Sequence, residues 1–147
     1  MRKIVVGVDE SAEAIAALSW ALDNATADDT VLIIHAWQMP TYEAMDPMMY
    51  DPSEIESGAK RVVDLTLEAA AEKARSADPD RRLPEIDASV GRGHPGRLLI
   101  EASSDADLLV VGSRGHGGFV GLLLGSVSTY AVHHAQCPVV VVPHRDE

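Results

Sequence analysis

Residues 108–128 read LLVVGSRGHGGFVGLLLGSVS, and this stretch decides the fold because it joins a strand pattern to a helix start through a glycine-rich connection. The apolar run at 108–111 is short and continuous, which is typical of a strand buried on both faces. A helical pattern follows from about Ser126. Six of the chain's eleven glycines lie between the two patterns, at Gly112, Gly115, Gly117, Gly118, Gly121 and Gly125.

A glycine-rich segment in this position can hold a phosphate. Glycine lets the backbone approach a ligand closely. Its N–H groups, together with the positive end of the following helix, can then bind phosphate oxygens. Ser126 and Ser128 add hydroxyl donors at the helix start, and the alternative is a long flexible connection with no ligand. No Gly-Lys-Ser/Thr box and no GxGxxG after the first strand occur, so P-loop enzymes and ordinary dinucleotide oxidoreductases are excluded.

The rest of the chain alternates apolar runs with helical patterns. Strands are predicted at 4–8, 30–37, 86–90, 108–111 and 139–142, and helices at 12–25, 53–77, from Pro95, and at 126–135. This order predicts an α/β domain over 1–147: a doubly wound, mainly parallel, five-stranded, Rossmann-like sheet with helices on both faces. Ligands of such sheets bind beyond the carboxyl ends of the strands, so the residues just after each strand are the candidates for a site.

Composition excludes several classes of partner. Twelve Lys and Arg against 23 Asp and Glu give a net charge of -11, which argues against nucleic acid and against an anionic membrane surface. The one cysteine, Cys137, excludes an intramolecular disulfide. No apolar stretch approaches the roughly 18 residues of a membrane span. A soluble, cytoplasmic protein is therefore expected.

The segment 38–54 breaks the alternation of strands and helices. It holds three prolines and four methionines, and it is predicted to be a long loop. Methionine adapts to irregular apolar surfaces. The loop is therefore either a lid or partner surface, or a segment that packs its own methionines.

The spacing Gly112-x2-Gly115-x9-Gly125-Ser126 resembles the nucleotide motif of the ATP-binding universal stress proteins. The resemblance covers nearly the whole chain, including Ile4–Ser11, 31–36, Gly93-His94-Pro95 and 137–142. It implies a fold related to the adenine-nucleotide α-hydrolases and a bound ATP, commonly with a divalent cation such as Mg²⁺. It also implies a homodimer that pairs through the closing strand.

The resemblance further assigns site residues by motif position. It implies Asp9 beside the ribose and phosphates, Ala36 at the adenine through its main chain, Gly112 and Gly115 along the ribose-phosphate path, and Gly125, Ser126 and Val127 at the phosphates. Two more side chains stay open: Arg114 either neutralises phosphate or points to solvent, and Ser128 is either a ligand or only a cap.

Asp9 has two readings as well. It either caps the first helix or binds Mg²⁺, which prefers oxygen ligands and often uses one carboxylate plus substrate phosphates. His116 is a weaker candidate for a phosphate contact. His133 and His134 are adjacent on a helix and do not face each other, so a metal site there is not expected.

These features favour a regulatory module that binds ATP. The alternatives are a slow Mg²⁺-dependent ATP hydrolase, a protein that binds AMP or cAMP, and an interaction protein that uses no nucleotide. Efficient catalysis is not expected, because the sequence has no Walker lysine and no evident general base. Gly115→Val is expected to abolish nucleotide binding and to leave the fold intact.

Overall fold

The structure of the chain is a computed structural model that describes residues 1–39, 51–115 and 123–144. Its strands are β1 (Lys3–Gly7), β2 (Thr30–Trp37), β3 (Glu85–Arg92), β4 (Leu108–Gly112) and β5 (Val139–Val142). Its helices are α1 (Ala12–Asn24), α2 (Pro52–Ala77), α3 (Pro95–Ser103) and α4 (Ser126–His134). The order of strands and helices is the predicted one.

The five strands form one sheet in the order β3-β2-β1-β4-β5, and every neighbouring pair is parallel. The chain moves outward from β1 to β2 and β3, and then crosses back to β4 on the other side of β1. The predicted doubly wound, parallel α/β fold is confirmed. This reversal puts the switch point between β1 and β4, where such sheets bind ligands.

The central strand β1 is buried on both faces, since Ile4, Val5 and Val6 are fully inaccessible to solvent. Ile4 and Val6 pack with α1 and α2 on one face of the sheet. Val5 packs with α3 and α4 on the other face. A continuous apolar strand therefore supplies two cores at once, which explains why it does not alternate apolar and polar residues.

Element boundaries differ from the predicted ones by one or two residues. Helix α2 begins at Pro52, because Asp51 caps it by accepting a hydrogen bond from Ser53 N and proline suits the first helical turn. Strand β3 is longer than predicted, because its edge position leaves polar side chains such as Glu85 and Arg92 in solvent. Residues 40–50 of the predicted long loop lie outside the described residues.

At the amino end of the sheet, the residue before β1 is bonded to the turn that precedes β2. Asp29 is 3% exposed and its carboxylate accepts hydrogen bonds from Arg2 N, from the Arg2 guanidinium and from Thr26 N, the first two at 2.8 Å and the third at 2.9 Å. These bonds hold the start of β1 against the turn that precedes β2. In the described ranges, no helix combines the length and the apolar character that crossing a membrane requires.

Candidate functional site

A cleft lies at the carboxyl ends of β1, β2 and β4, at the switch point of the sheet. Seven of the nine site residues expected from the sequence line it: Asp9, Ala36, Gly112, Arg114, Gly115, Val127 and Ser128. They come from four separate parts of the chain: three lie at or just after the ends of strands that finish at the same edge of the parallel sheet, and the fourth is the start of α4.

The other two expected residues lie at the start of α4, beside the cleft lining. Gly125 is the buried N-cap residue of α4, and its N–H donates to Ser113 O at 2.6 Å. That N–H is therefore already used within the protein. Ser126 is exposed in the first turn of α4. Helix geometry leaves the N–H groups of such a first turn without a partner inside the helix.

Asp9 supports the start of α1 through Ser11. Ser11 is the N-cap residue, and its hydroxyl accepts from Ala14 N at 3.2 Å. Oδ1 of Asp9 accepts a hydrogen bond from Ser11 N at 2.8 Å and another from the Ser11 hydroxyl. The helix cap expected as the alternative role of Asp9 is thus made by Ser11, with Asp9 behind it.

The other oxygen of Asp9 faces Gly115. A Cβ placed on Gly115 would stand 2.5 Å from Asp9 Oδ2, which is less than a van der Waals contact. The absence of a side chain at Gly115 therefore lets the carboxylate that follows β1 reach the segment that follows β4. Two of the residues that the resemblance implies near the ribose and phosphates thus lie against each other.

The position of Gly112 excludes a side chain for a different reason. A Cβ at this position would stand 2.7 Å from Glu13 Cβ and 3.0 Å from Glu13 O. The first turn of α1 packs directly onto the end of β4, and only glycine leaves room for its backbone. Gly112 lines the cleft, but its missing side chain is required by helix packing.

His35 lies near the end of β2, and it also lines the cleft. Its Nδ1 lies 2.8 Å from Val8 O. A carbonyl oxygen only accepts, so Nδ1 carries the proton in this hydrogen bond. Val8 N in turn donates to Ile34 O at 2.9 Å. His35 therefore fixes the turn that carries Asp9, a role that no sequence motif signals.

The remaining walls of the cleft are largely apolar. Leu99 and Pro95 of α3 form one side, and Val111 contributes from β4. Among the described lining residues, Arg114 supplies the guanidinium and Asp9 the carboxylate. An apolar wall with a few polar groups at one end suits a ligand with a flat apolar part and a charged part.

Comparison with known proteins decides the family. A family model described as "Universal stress protein family" matches residues 1–143. The chain belongs to the universal stress protein family. The universal stress protein Rv2624c of Mycobacterium tuberculosis is 33% identical over 142 residues, which are 97% of this chain and 48% of that protein. The chain thus spans about half the length of the curated relatives it matches.

Solved universal stress protein structures share the fold. One, in complex with cAMP, has a TM-score of 0.68 and 24% identity, and the match covers 99% of this chain and 98% of that one. Another is At3g01520 from Arabidopsis thaliana with AMP bound, with a TM-score of 0.61 and 24% identity over 99% of this chain and 93% of that one. At these identities the likeness shows the architecture.

Some candidates named from the sequence lie outside the described ranges. His116, Gly117, Gly118 and Gly121 lie outside the described residues, as do three of the loop methionines. The rings of His133 and His134 have centroids 6.4 Å apart. The described ranges hold no group of three or more His, Cys, Asp and Glu side chains that could bind a metal ion.

Proposed function

We propose that this universal stress protein binds an adenine nucleotide in the cleft, with ATP and Mg²⁺ as the leading ligand, and acts as a regulatory module. The observation that carries the proposal is the convergence of Asp9, Ala36, Gly115 and the α4 start on one cleft. The sequence separates these residues by up to 118 positions, from Asp9 to Val127, and the fold brings them to one place.

The phosphate end of the site would rely on backbone groups. The N–H groups of Ser126 and Val127, in the first turn of α4, are the donors that helix geometry leaves available, and the helix dipole adds to them. Arg114 would add a positive charge, since it lines the cleft. The apolar wall of Leu99 and Pro95 would face the base or the sugar, with the main chain of Ala36 selecting adenine.

The chemistry of the cleft fits Mg²⁺ only when phosphates are present. Asp9 is the carboxylate that lines the cleft among the described residues, and one carboxylate is a small fraction of an octahedral shell. Mg²⁺ commonly combines one or two carboxylates with substrate phosphates and water. Asp9 would hold the ion, and the ion would offset repulsion between that carboxylate and the phosphates.

AMP or cAMP is the second candidate ligand. Its support is that one structural neighbour was solved with cAMP and another with AMP. Both are adenine nucleotides with a single phosphate, so the same base pocket and α4 start would serve them. Their binding would depend less on a cation, because a single phosphate carries less charge.

Titration calorimetry separates these ligands. Purified protein is titrated with ATP, AMP and cAMP, each with and without Mg²⁺, and GTP serves as the control for base selection. The proposal expects ATP binding that strengthens with Mg²⁺. Absence of any binding heat at millimolar adenine nucleotide would overturn the proposed nucleotide binding. Stronger binding of AMP or cAMP than of ATP would select the second candidate ligand. Phosphate release in a single turnover tests for slow hydrolysis.

We also propose that β5 pairs with a second copy of the chain. Pro138 O accepts from Leu109 N of β4, and Val142 O accepts from Ser113 N just after β4, so the alternate residues Val139 and Val141 direct their backbone groups away from β4. This row of N–H and C=O groups on the outer edge of the sheet is a template for strand pairing.

Val141→Pro tests this pairing because it deletes an outward N–H, and Val140→Pro is the matched control that deletes an inward one. Sedimentation is expected to show a dimer for the parent chain and a monomer for Val141→Pro. Loss of stability in Val140→Pro would confirm the inward direction of that group. A parent chain that sediments as a monomer at high micromolar concentration would refute the pairing. The cytoplasmic location expected from the sequence stays a prediction.

A further inference from the structure

One backbone carbonyl joins the two ends of the glycine-rich segment. Ser113 O accepts a hydrogen bond from Gly125 N at 2.6 Å and a second from the Ser128 hydroxyl at 2.8 Å. The same hydroxyl lies 3.1 Å from Gly125 O. Ser128 is 1% exposed, and Ser113 is buried too. The residue after β4 and the first residues of α4 are therefore held together at Ser113 O.

The bonding of Ser128 limits what its hydroxyl can do for a ligand. A hydroxyl has one proton, and both of its neighbours here, Ser113 O and Gly125 O, are carbonyl oxygens that can only accept. The proton is thus committed to the protein. Donating it to a phosphate instead would leave a buried carbonyl with one bond fewer, which is unfavourable.

We propose that Ser128 is a positioning residue, whose hydroxyl holds Ser113 O against the start of α4 and thereby sets the geometry of Gly115 and Arg114. It acts on the ligand through the backbone and does not donate a hydrogen bond to the phosphates. Of the two roles left open for Ser128, ligand or cap, this proposal takes a form of the second.

The packing around Gly125 shows how the effect would be transmitted. A Cβ at Gly125 would stand 3.3 Å from Arg114 Cα and 3.4 Å from Gly115 N. The start of α4 is therefore in close contact with the residues that form the phosphate path. Gly115 in turn faces Asp9, so loosening the contact at Ser113 changes the spacing between the α4 start and the carboxylate.

The test compares three variants in the absence and presence of nucleotide. Ser128→Ala deletes the hydroxyl, and Ser128→Thr keeps it. Thr129→Ala is the matched control, since Thr129 is the exposed neighbour of Ser128 in α4 and does not line the cleft. Hydrogen–deuterium exchange of peptides covering 113–115 and 125–128 is measured without ligand, with peptides from β1 and α1 as internal references. Titration calorimetry with MgATP and with adenosine then measures binding.

Ser128→Ala is expected to speed exchange of the Gly125 amide in the unliganded protein by about threefold to tenfold, the effect of one lost hydrogen bond. The β1 and α1 peptides are expected to stay unchanged, which separates local loosening from general destabilisation. Ser128→Thr is expected to keep the slow exchange of the parent chain, and Thr129→Ala to leave that exchange unchanged. If Ser128→Ala does not fold, Ser128→Cys retains the volume with a much weaker donor and is expected to show the same local effect.

Two results would overturn the proposal. Unchanged exchange at Gly125 in Ser128→Ala, or in Ser128→Cys where that is used, would show that the hydroxyl does not hold the segment. Unchanged exchange with a loss of MgATP affinity but not of adenosine affinity would show a direct phosphate contact. The ligand part rests on the proposed nucleotide binding, whereas the exchange part does not. A parent chain that binds no nucleotide therefore leaves the exchange result to decide the role of Ser128.

Discussion

Two glycines of the cleft, Gly112 and Gly115, are expected to respond in opposite ways to the same substitution by alanine. A methyl group at Gly112 meets the Glu13 Cβ at 2.7 Å and the Glu13 carbonyl carbon at 3.1 Å, so a helix backbone would have to move. Within the described part of the chain, a methyl group at Gly115 meets only Asp9: Oδ2 at 2.5 Å and Cγ at 3.7 Å. The end of one flexible side chain can rotate away.

The magnitudes follow from these contacts. Neither glycine has a positive φ, so alanine adds no backbone strain at either position. Overpacking costs about 1–3 kcal/mol, and the lower entropy of the unfolded alanine chain returns about 0.4–1 kcal/mol. Gly112→Ala is therefore expected to lower the free energy of unfolding by about 1–2 kcal/mol. Gly115→Ala is expected to leave it unchanged or to raise it slightly.

Ligand binding is expected to show the reverse order. In Gly115→Ala the Asp9 carboxylate is displaced from the phosphate path. Losing one interaction with a charged group costs about 1.5–3 kcal/mol, which is at least tenfold in affinity. Gly112→Ala is expected to bind MgATP with nearly the parent affinity once it is folded, since Glu13 does not line the cleft.

Urea unfolding followed by Trp20 and Trp37 fluorescence measures the first quantity, and titration with MgATP measures the second. Asp9→Asn in the Gly115→Ala background is the control, because a carboxylate that is already displaced should lose little more when it is neutralised. The reasoning is refuted if Gly115→Ala unfolds as easily as Gly112→Ala, or if Gly112→Ala is as stable as the parent chain.

Three further substitutions probe the supports of the fold and the site. The hydrogen bond from the Arg2 side chain, with those from Thr26 N and Arg2 N, holds the pKa of Asp29 well below its usual range. The stability that the ionised Asp29 contributes is present above about pH 4 and is lost as the pH falls below that value. Asp29→Asn should therefore make the free energy of unfolding depend less on pH in the acid range. The Ser19 hydroxyl is buried and finds no hydrogen-bond partner in the described part of the chain. Ser19→Ala should therefore raise the free energy of unfolding by about 1 kcal/mol, which thermal unfolding would show as a higher midpoint temperature. His35→Phe keeps a ring but loses the donor to Val8 O, and chemical denaturation should show a loss of about 1 kcal/mol, together with weaker MgATP binding; unchanged binding would show that His35 does not position the Asp9 turn.

The fold was predictable where burial on both faces left a plain pattern. Strands β1 and β4 are continuous apolar runs, and their glycine and acidic borders mark where they end. Strand β3 was harder to delimit, since it lies at an edge of the sheet and most of its side chains are exposed. Its ends are set by pairing with Thr30 and Trp37 of β2, which no local pattern encodes.

The position of the cleft was predictable from the sequence, but the contacts of the residues that line it were not. The glycine spacing and the rule for parallel sheets located the cleft. The sequence could not tell that Gly112 is small because of Glu13, nor that Gly115 is small because of Asp9. It also missed His35, because the partner of this side chain is a main-chain oxygen 27 positions away. Roles that depend on contacts between distant backbone groups leave no mark in the spacing of residue types.

The charge of the cleft differs from the net charge of the whole chain. A net charge of -11 suggests a poor anion site, whereas residues 112–135 contain one Arg and no acid, so that Asp9 is the acid expected at the site. The fold brings Asp9 against Gly115 from the other end of the chain. Among the described lining residues, Asp9 and Arg114 carry the formal charges, which sum to about zero. A polyphosphate there would be held by helix-end N–H groups and by a cation shared with Asp9, so the distant acids matter only through screened, long-range repulsion.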